Sequence, residues 1–328
     1  MAKNVILHLS EWINSANSSA LTKGLAYGLL SFDNAFLNYN LNSSSVNIFD
    51  QRTMVARFQM NESKPYRAET IRKQSINAHA LMGLLGDQQL PLTATATALR
   101  GAHGNPLPWA PSSAETMAIA SSMYGEQLTV LVTTGNATAA AANSSVTLNL
   151  HITNFLPAIA KHGAHAAIFI LGGAPGASDL WAAAGSPNYP SATLLRQMRA
   201  AQEVAPVEIK TIATASEDWS VSIDIPATKG GIALVHLCPN DGKPVPPPTM
   251  VTSHAVSSNS TLISWRHAAH SCVRTFVVQD AETGTRLNVE DQIFMSYQLE
   301  GVVPRKLSVR AVNHAGASSA PAVMLVWS

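Results

Sequence analysis

The sequence LLSFDNAFLNYN, which spans residues 29–40, places an aspartate shortly after a continuous apolar run. The run extends from Leu25 to Leu30, and its composition is typical of a strand that is buried on both faces of a parallel sheet. Asp33 therefore lies just past the carboxyl end of the predicted strand, where parallel sheets place functional side chains. An apolar stripe at helical spacing predicts a helix before this strand, over residues 3–13.

After a long polar loop, Arg52 is the second residue of the stretch QRTMVARFQMNESKP, which begins at Gln51. The spacing of Met54, Val55 and Phe58 predicts a short helix that starts near Arg52. A longer helix is predicted from the apolar residues Ile76, Ala80, Leu81, Leu84 and Leu85. The first 85 residues thus read as helix, strand, helix and helix.

Beyond this point the apolar period changes from that of a helix to that of a strand. Apolar and polar residues alternate over residues 146–153 and again over 219–225, which predicts half-buried strands with one polar face. Further strands are predicted at residues 128–132, 166–171 and 232–237. Together these runs predict an antiparallel β-sandwich.

One helix is predicted to interrupt the sandwich. Ser191 can cap its amino terminus, Leu194, Leu195 and Met198 form its apolar stripe, and Pro206 limits it. Arg196 and Arg199 lie on this helix; a solvated face explains them more simply than contact with a sulfated glycan does. His162 and His165 read as loop residues.

The last part of the chain follows a linker rich in proline and glycine, Pro239 to Pro248. Short strands are predicted at residues 261–265, 275–279 and 306–313. The early strand residue Trp265 and the late run AVNHAGASSAP resemble a fibronectin type III module. Leu307 stands where that module usually has a tyrosine.

The motifs LLSFDNAFLNYN, DQRTMVARFQMNESKP, IRKQ and ALMGLLGDQQL, in this order, resemble the α-L-iduronidase family of glycoside hydrolases, within glycoside hydrolase family 39. The similarity continues through MRAAQEV, LVHLCP and SVRAVN, and so covers nearly the whole chain. The resemblance implies the carboxyl-terminal part of a lysosomal enzyme. Such enzymes remove terminal α-L-iduronic acid from dermatan sulfate and heparan sulfate by a retaining mechanism, without a cofactor.

The resemblance assigns substrate contacts to Asp33 and Arg52, which match an aspartate and an arginine that bind iduronate in the family. The chemistry fits, because the planar guanidinium of Arg52 can pair with a sugar carboxylate through two hydrogen bonds. The Asp33 carboxylate can accept hydrogen bonds from sugar hydroxyls. Spacing alone would favour a turn cap for Asp33 and a solvated helix start for Arg52.

A retaining glycosidase also needs two carboxyl groups about 5 Å apart, one as acid/base and one as nucleophile. In the family both are glutamates on earlier barrel strands, which would precede Met1. Glu62 and Glu69 read as solvated surface residues and are not assigned to either role. We therefore expect the isolated chain to be inactive, with no catalytic residue among its 328 residues.

Composition limits the classes of partner and the cellular compartments that fit this chain. A net charge of +1 gives no field that would favour nucleic acid, and the apolar runs are too short to span a membrane. Six Asn-x-Ser/Thr sequons, at Asn17, Asn42, Asn61, Asn136, Asn143 and Asn259, point to the secretory pathway. The resemblance selects Asn61 and Asn143 as glycan sites. No signal peptide is recognised at the amino terminus.

The two cysteines, Cys238 and Cys272, leave three readings open on spacing alone. They could form a disulfide across the third domain, remain free, or join His236, His267 and His270 in a zinc site. The resemblance implies the disulfide, because the family has a cysteine pair in matching places. No metal is expected.

The resulting prediction is a mixed, mainly β chain in three parts. Residues 1–85 form the remnant of a (β/α)8 barrel, residues 86–240 a β-sandwich, and residues 241–328 a fibronectin type III-like domain. The alternative function is that of a non-catalytic glycan-binding or structural protein built from the two β domains. The oligomeric state is not predicted.

Overall fold

The computed structural model describes residues 55–59, 68–92, 99–101, 115–135, 145–172, 175–213, 218–226, 231–257, 260–268 and 272–325. Over these ranges the chain is mainly β, as the sequence predicts. The predicted helix at residues 3–13 and the predicted strand at residues 25–30 lie outside the described residues.

The helices are α1 (Gln74–Met82), α2 (Pro157–His162), α3 (Ala177–Ala183) and α4 (Ala192–Ala201). The strands up to the linker are β1 (Val55–Gln59), β2 (Ala68–Arg72), β3 (Gln88–Leu90), β4 (Leu99–Gly101), β5 (Glu115–Met123), β6 (Gln127–Gly135), β7 (Ser145–Thr153), β8 (Ala164–Leu171), β9 (Glu208–Ile212), β10 (Asp218–Pro226) and β11 (Gly231–Pro239). The strands after the linker are β12 (Thr249–Ser257), β13 (Ser260–Arg266), β14 (Val273–Asp280), β15 (Ser296–Glu300), β16 (Lys306–Asn313) and β17 (Ala322–Leu325).

The middle of the chain forms a β-sandwich, which we call the middle sandwich (β3–β11 with α2). Its main sheet has the strand order β3-β5-β6-β11-β8-β9, and β4 pairs with the same edge of β5 as β3 does. The β4–β5 pairing is parallel, and the other pairings of this sheet are antiparallel. A second sheet, β7 with β10, covers one face, and Leu150 lies opposite Val221 in its ladder.

The central strands of the main sheet are buried on both faces. Val130 and Val235 pack toward the β7–β10 sheet. Leu131 and Leu234, their neighbours in sequence, pack toward helix α1 on the opposite face. This double burial explains why β6, β8 and β11 read as continuous apolar runs, whereas β7 and β10 alternate.

The predicted short helix after Arg52 is wrong. Residues 55–59 form strand β1, which pairs antiparallel with β2 in the amino-terminal hairpin. Ala56 and Phe58 are fully buried, and this spacing of two residues is the period of a strand. A partner strand that supplies the ladder of backbone hydrogen bonds outweighs the weak helical spacing of three apolar residues.

The two longer helices are confirmed. Helix α1 overlaps the predicted residues but begins at Gln74 and ends at Met82, and its apolar side packs on the main sheet through Ala78 and Leu81. Helix α4 begins where predicted, because the Ser191 side chain accepts a hydrogen bond from the backbone N–H of Leu194. Two short helices, α2 and α3, also interrupt the sandwich, where one helix was predicted. None of the helices in the described ranges combines the length and the apolar character needed to cross a bilayer.

The carboxyl-terminal module (β12–β17) is a sandwich of two three-stranded sheets, β12-β13-β15 and β14-β16-β17. Its core contains Trp265, whose ring packs against Phe276 at 5.3 Å between centroids. Leu307 is fully buried in the same core. The three strands predicted here are confirmed, and the domain boundaries at residues 85 and 240 stay predictions.

Candidate functional site: the charged junction

The residues predicted to bind substrate, Asp33 and Arg52, lie outside the described residues, and so do the predicted glycan sites Asn61 and Asn143. The described chain begins at Val55, and only Thr53 and Met54 separate this residue from Arg52 in the sequence. The structure therefore describes the hairpin that immediately follows Arg52, together with its surroundings.

This hairpin is anchored by an apolar cluster. Phe58 and Ile71, one on each strand, are fully buried against helices α3 and α4. The Phe58 ring lies 6.4 Å from that of Trp181, and the Trp181 indole N–H donates to the carbonyl of Pro187 at 3.0 Å. Met198 of α4, also fully buried, completes this contact. Burial on both strands holds the hairpin firmly on the two helices.

Arg199, on helix α4, joins the hairpin to the carboxyl-terminal module. Its guanidinium lies 2.5 Å from a carboxylate oxygen of Glu69 on β2 and also pairs with Glu300 on β15. Glu69 further accepts a hydrogen bond from Gln298 of β15 at 3.3 Å. We call the region around these residues the charged junction.

Two predictions are corrected here. Glu69 is 1% exposed and ion-paired, so it is not a solvated surface residue. Arg199 does not lie on a solvated helix face, because its side chain is 11% exposed and meets two carboxylates. One feature of the hairpin accounts for the burial of Glu69. This residue is paired with the buried Phe58 on the neighbouring strand, so the two side chains lie on the same face. That pairing becomes visible only when residues 55–59 are recognised as a strand.

A second ion pair lies beside the first. The Arg72 guanidinium pairs with Glu203, and its carbon lies 3.8 Å from the centre of the Phe294 ring. Burial raises the pKa of the Glu203 carboxyl, and Arg72 opposes this shift. Burial lowers the pKa of Arg72, and Glu203 opposes that shift in turn. In both groups desolvation is thus the larger influence.

A cavity of about 440 Å³ opens within the charged junction. It lies between β2, the end of α4 and the carboxyl-terminal module. Its walls include Thr70, Arg72, Arg196, Arg199, Gln202, Glu203, Leu262, Leu287, Val289, Glu290, Gln292, Tyr297, Gln298 and Glu300. No sequence pattern indicates this cavity, because its walls come from three segments that are distant in the sequence.

The cysteines form a disulfide, as the resemblance implies. Cys238 is the penultimate residue of β11 in the middle sandwich and Cys272 directly precedes β14, so the bond joins the sandwich to the carboxyl-terminal module. His236 lies within 4.8 Å of both sulfur atoms. The bond uses both thiolates that the alternative zinc site would need.

Two buried histidines accompany the disulfide. His236, on β11, meets His314 of the carboxyl-terminal module with 3.3 Å between Nδ1 and Nε2. The His236 Nε2 lies 3.1 Å from the side-chain oxygen of Gln127. Burial lowers the pKa of His314 well below its usual range, and the nearby His236 adds to the shift. Both histidines are therefore packed at the contact between the middle sandwich and the carboxyl-terminal module.

His162 and His165 were predicted as loop residues. Instead, His162 is the last residue of helix α2, and His165 lies in strand β8.

Comparison with known proteins places the fold. No family model matches the chain. One solved structure is that of the bacterial orthologue of human α-L-iduronidase. The alignment covers 92% of this chain and 54% of the bacterial chain, with a TM-score of 0.69 and 16% sequence identity. The chain thus shares the fold of the corresponding part of that protein.

Comparison of sequences gives a more specific similarity than comparison of folds. Human α-L-iduronidase is 26% identical over 311 residues, which are 89% of this chain and 44% of the human protein. The enzyme of Canis lupus familiaris is 27% identical over 333 residues, with 91% of this chain and 44% of the dog protein covered. The chain is similar to the α-L-iduronidases and spans less than half of the length of these two proteins.

Proposed function

We propose that this chain forms part of an α-L-iduronidase-like glycoside hydrolase that removes terminal α-L-iduronic acid from dermatan sulfate or heparan sulfate. The observation that carries the proposal is the similarity to α-L-iduronidases along 89% of the chain. Similarity over 89% of the chain is not confined to the β modules, because residues 86–328 make up about three-quarters of it. Similarity confined to the β modules would have supported only a shared accessory domain.

In this proposal Asp33 and Arg52 position the substrate. Arg52 pairs with the iduronate carboxylate through two parallel hydrogen bonds, and Asp33 accepts hydrogen bonds from ring hydroxyls. The described structure supports the assignment of Arg52, because the hairpin that follows it is anchored on α3 and α4. A substrate-binding arginine needs such a rigid base, since small misplacements of positioning groups slow catalysis.

The isolated chain is inactive in this proposal. The acid/base and the nucleophile are glutamates supplied by sequence other than these 328 residues. Glu69 does not replace either of them, because it is held by Arg199 and Gln298 in the charged junction. Hydrolysis requires the carboxylate pair to flank the scissile bond.

An assay of the purified chain with a fluorogenic α-L-iduronide tests the inactivity, with a fluorogenic β-D-xyloside as the matched control. We expect neither substrate to be cleaved. Cleavage of the iduronide would mean that the chain itself holds a catalytic carboxylate pair. Cleavage of the xyloside alone would contradict the proposed substrate.

The substrate contacts are tested in the longest protein that the transcript encodes. Arg52→Lys keeps the positive charge but loses the planar fork, so we expect KM for the iduronide to rise about tenfold or more. Asp33→Asn should raise KM as well. Arg305→Lys, on an exposed residue, is the matched control and should leave KM unchanged. An unchanged KM in Arg52→Lys would remove this residue from the site.

The proposal includes transit through the secretory pathway to the lysosome, with glycans at Asn61 and Asn143. Exposure of these residues to the glycosylation machinery is tested by expressing the protein with a secretory leader. Removal of N-glycans should convert each occupied asparagine to aspartate, which mass spectrometry detects. Unmodified asparagine at both positions would contradict the assignment.

A further inference from the structure

The cavity in the charged junction has walls of two kinds. Leu262, Leu287 and Val289 provide an apolar surface, and the ring of Tyr297 lies among them. The hydroxyl of Tyr297 donates to the carbonyl of Leu287 at 2.9 Å, which fixes the position of the ring. A rigid aromatic ring beside aliphatic side chains suits the C–H faces of a small polar molecule.

The polar part of the wall contains an amide without a hydrogen-bond partner among the described residues. Gln292 is 1% exposed, and neither its side-chain nitrogen nor its side-chain oxygen has a partner. Its backbone is held on both sides, by the Thr275 hydroxyl at 2.9 Å and the N–H of Phe276 at 2.9 Å. The amide is therefore fixed in place with a donor and an acceptor unused, which is costly in a buried position.

A carboxylate oxygen adds to this unused capacity. Oε2 of Glu203 has no partner in the described structure, whereas its other oxygen pairs with Arg72. Gln292 and Glu203 both line the cavity, and their unpartnered donor and acceptor atoms are buried within its wall. Molecules with several hydroxyl groups can satisfy both kinds at once.

The charges of the described wall residues cancel. Three arginines, Arg72, Arg196 and Arg199, face three glutamates, Glu203, Glu290 and Glu300. An anionic ligand therefore meets no net positive field, and a neutral ligand is not penalised.

We propose that this cavity is a binding site for an uncharged saccharide unit, distinct from the predicted iduronate site. The sugar packs its C–H face on Tyr297 and bonds through its hydroxyls to the Gln292 amide. About 440 Å³ falls within the range of small-molecule pockets. The inference rests on the described cavity and does not depend on hydrolysis of iduronides.

Saturation-transfer difference NMR on the full chain tests the proposal, with D-mannose, D-galactose and D-xylose as neutral probes and D-glucuronate as the anionic probe. We expect at least one neutral sugar to bind with a Kd on the order of 1 mM. No signal from any neutral sugar, or a signal from glucuronate alone, would overturn the proposal.

Variants locate the binding. Gln292→Leu removes the unpartnered amide, so binding should weaken about tenfold or more while Tm stays the same or rises. Val289→Trp adds bulk at a wall residue that is 84% exposed, and should block the cavity without disturbing the core. Gln197→Leu, on the exposed face of α4, is the matched control and should bind as the parent chain does. Unchanged binding in Val289→Trp would place the sugar elsewhere and overturn the proposal, whatever the stability of Gln292→Leu.

Discussion

At Arg199 one guanidinium meets two carboxylates that are distant in the sequence, Glu69 and Glu300. Its partner Glu69 is 1% exposed, so removal of the arginine would leave a buried and uncompensated charge. The energetic role of this contact therefore differs from that of the exposed ion pairs on the surface.

Arg199→Met should lower the free energy of unfolding by about 3–5 kcal/mol, because the Glu69 carboxylate loses its charge partner. The double variant Arg199→Met/Glu69→Leu should recover much of that loss. Urea unfolding at neutral pH measures both. Arg196→Met, on the exposed side of the same helix, is the control and should be close to the parent protein. Equal stabilities of Arg199→Met and Arg196→Met would show that the buried pair does not stabilise the fold.

His314 predicts a pH dependence of stability. Burial lowers its pKa in the folded state, and the neighbouring His236, His165 and Arg274 act in the same direction. In the unfolded chain its pKa returns to about 6.5. Below about pH 6.5 the unfolded chain therefore binds a proton that the folded chain does not, and stability falls as the pH decreases.

His314→Gln removes this contribution, so its unfolding free energy should fall less than that of the parent protein between about pH 7.5 and about pH 5. Urea titrations at the two pH values give the difference. The raised pKa of Glu203 acts in the opposite direction in both proteins and cancels in the comparison. An identical decrease in both proteins would show that His314 accepts a proton in the folded state.

Sequence alone anticipated some single residues and missed others. The Ser191 cap and the strand position of Trp265 were predicted, because a helix cap and a short apolar strand are local signals. Glu69 and Arg199 were read as solvated, because a charged residue is exposed far more often than buried. Only the tertiary contact between them reverses that expectation, and residues 69 and 199 are too far apart in sequence for a pattern to connect them.

At the scale of elements, the amino-terminal hairpin also shows that a local sequence pattern cannot predict what tertiary contacts decide. Long strands with a clear period of two, such as β7 and β10, were predicted correctly from sequence. The five residues of β1 were not, because three apolar positions fit a helical turn as well as a strand. The partner strand β2 and the helices α3 and α4 decide the outcome.

Phe58→Ala should therefore destabilise the protein by about 3–5 kcal/mol, since it leaves a cavity between the hairpin and the two helices. Phe58→Leu should cost less, because more of the volume is kept. Thermal unfolding with circular dichroism compares the two, and Val323→Ala at a half-exposed position is the control. A Tm for Phe58→Ala equal to that of the control would contradict the packing of the hairpin.

At the scale of the whole molecule, the disulfide and the charged junction hold the carboxyl-terminal module on the rest of the chain. Cys238 and Cys272 are 34 residues apart, and closing a loop of this length stabilises a fold by about 3–4 kcal/mol on the chain-entropy model. The bond also spans the segment 240–248 between the two β units.

Cys238→Ser/Cys272→Ser should lower the unfolding free energy by about that amount and speed proteolysis of the segment 240–248. A reducing agent should reproduce both effects in the parent protein and have no effect on the double variant. Proteolysis that is insensitive to reduction would show that the charged junction alone holds the module.

The central proposal is that these 328 residues belong to an α-L-iduronidase-like enzyme whose catalytic carboxylates lie in other sequence. Sequencing the transcript upstream of the Met1 codon tests it most directly. We expect an in-frame extension that encodes further barrel strands, with two glutamates at strand ends. An in-frame stop codon directly upstream of Met1 would contradict the proposal, and the chain would then be a non-catalytic relative built from β modules.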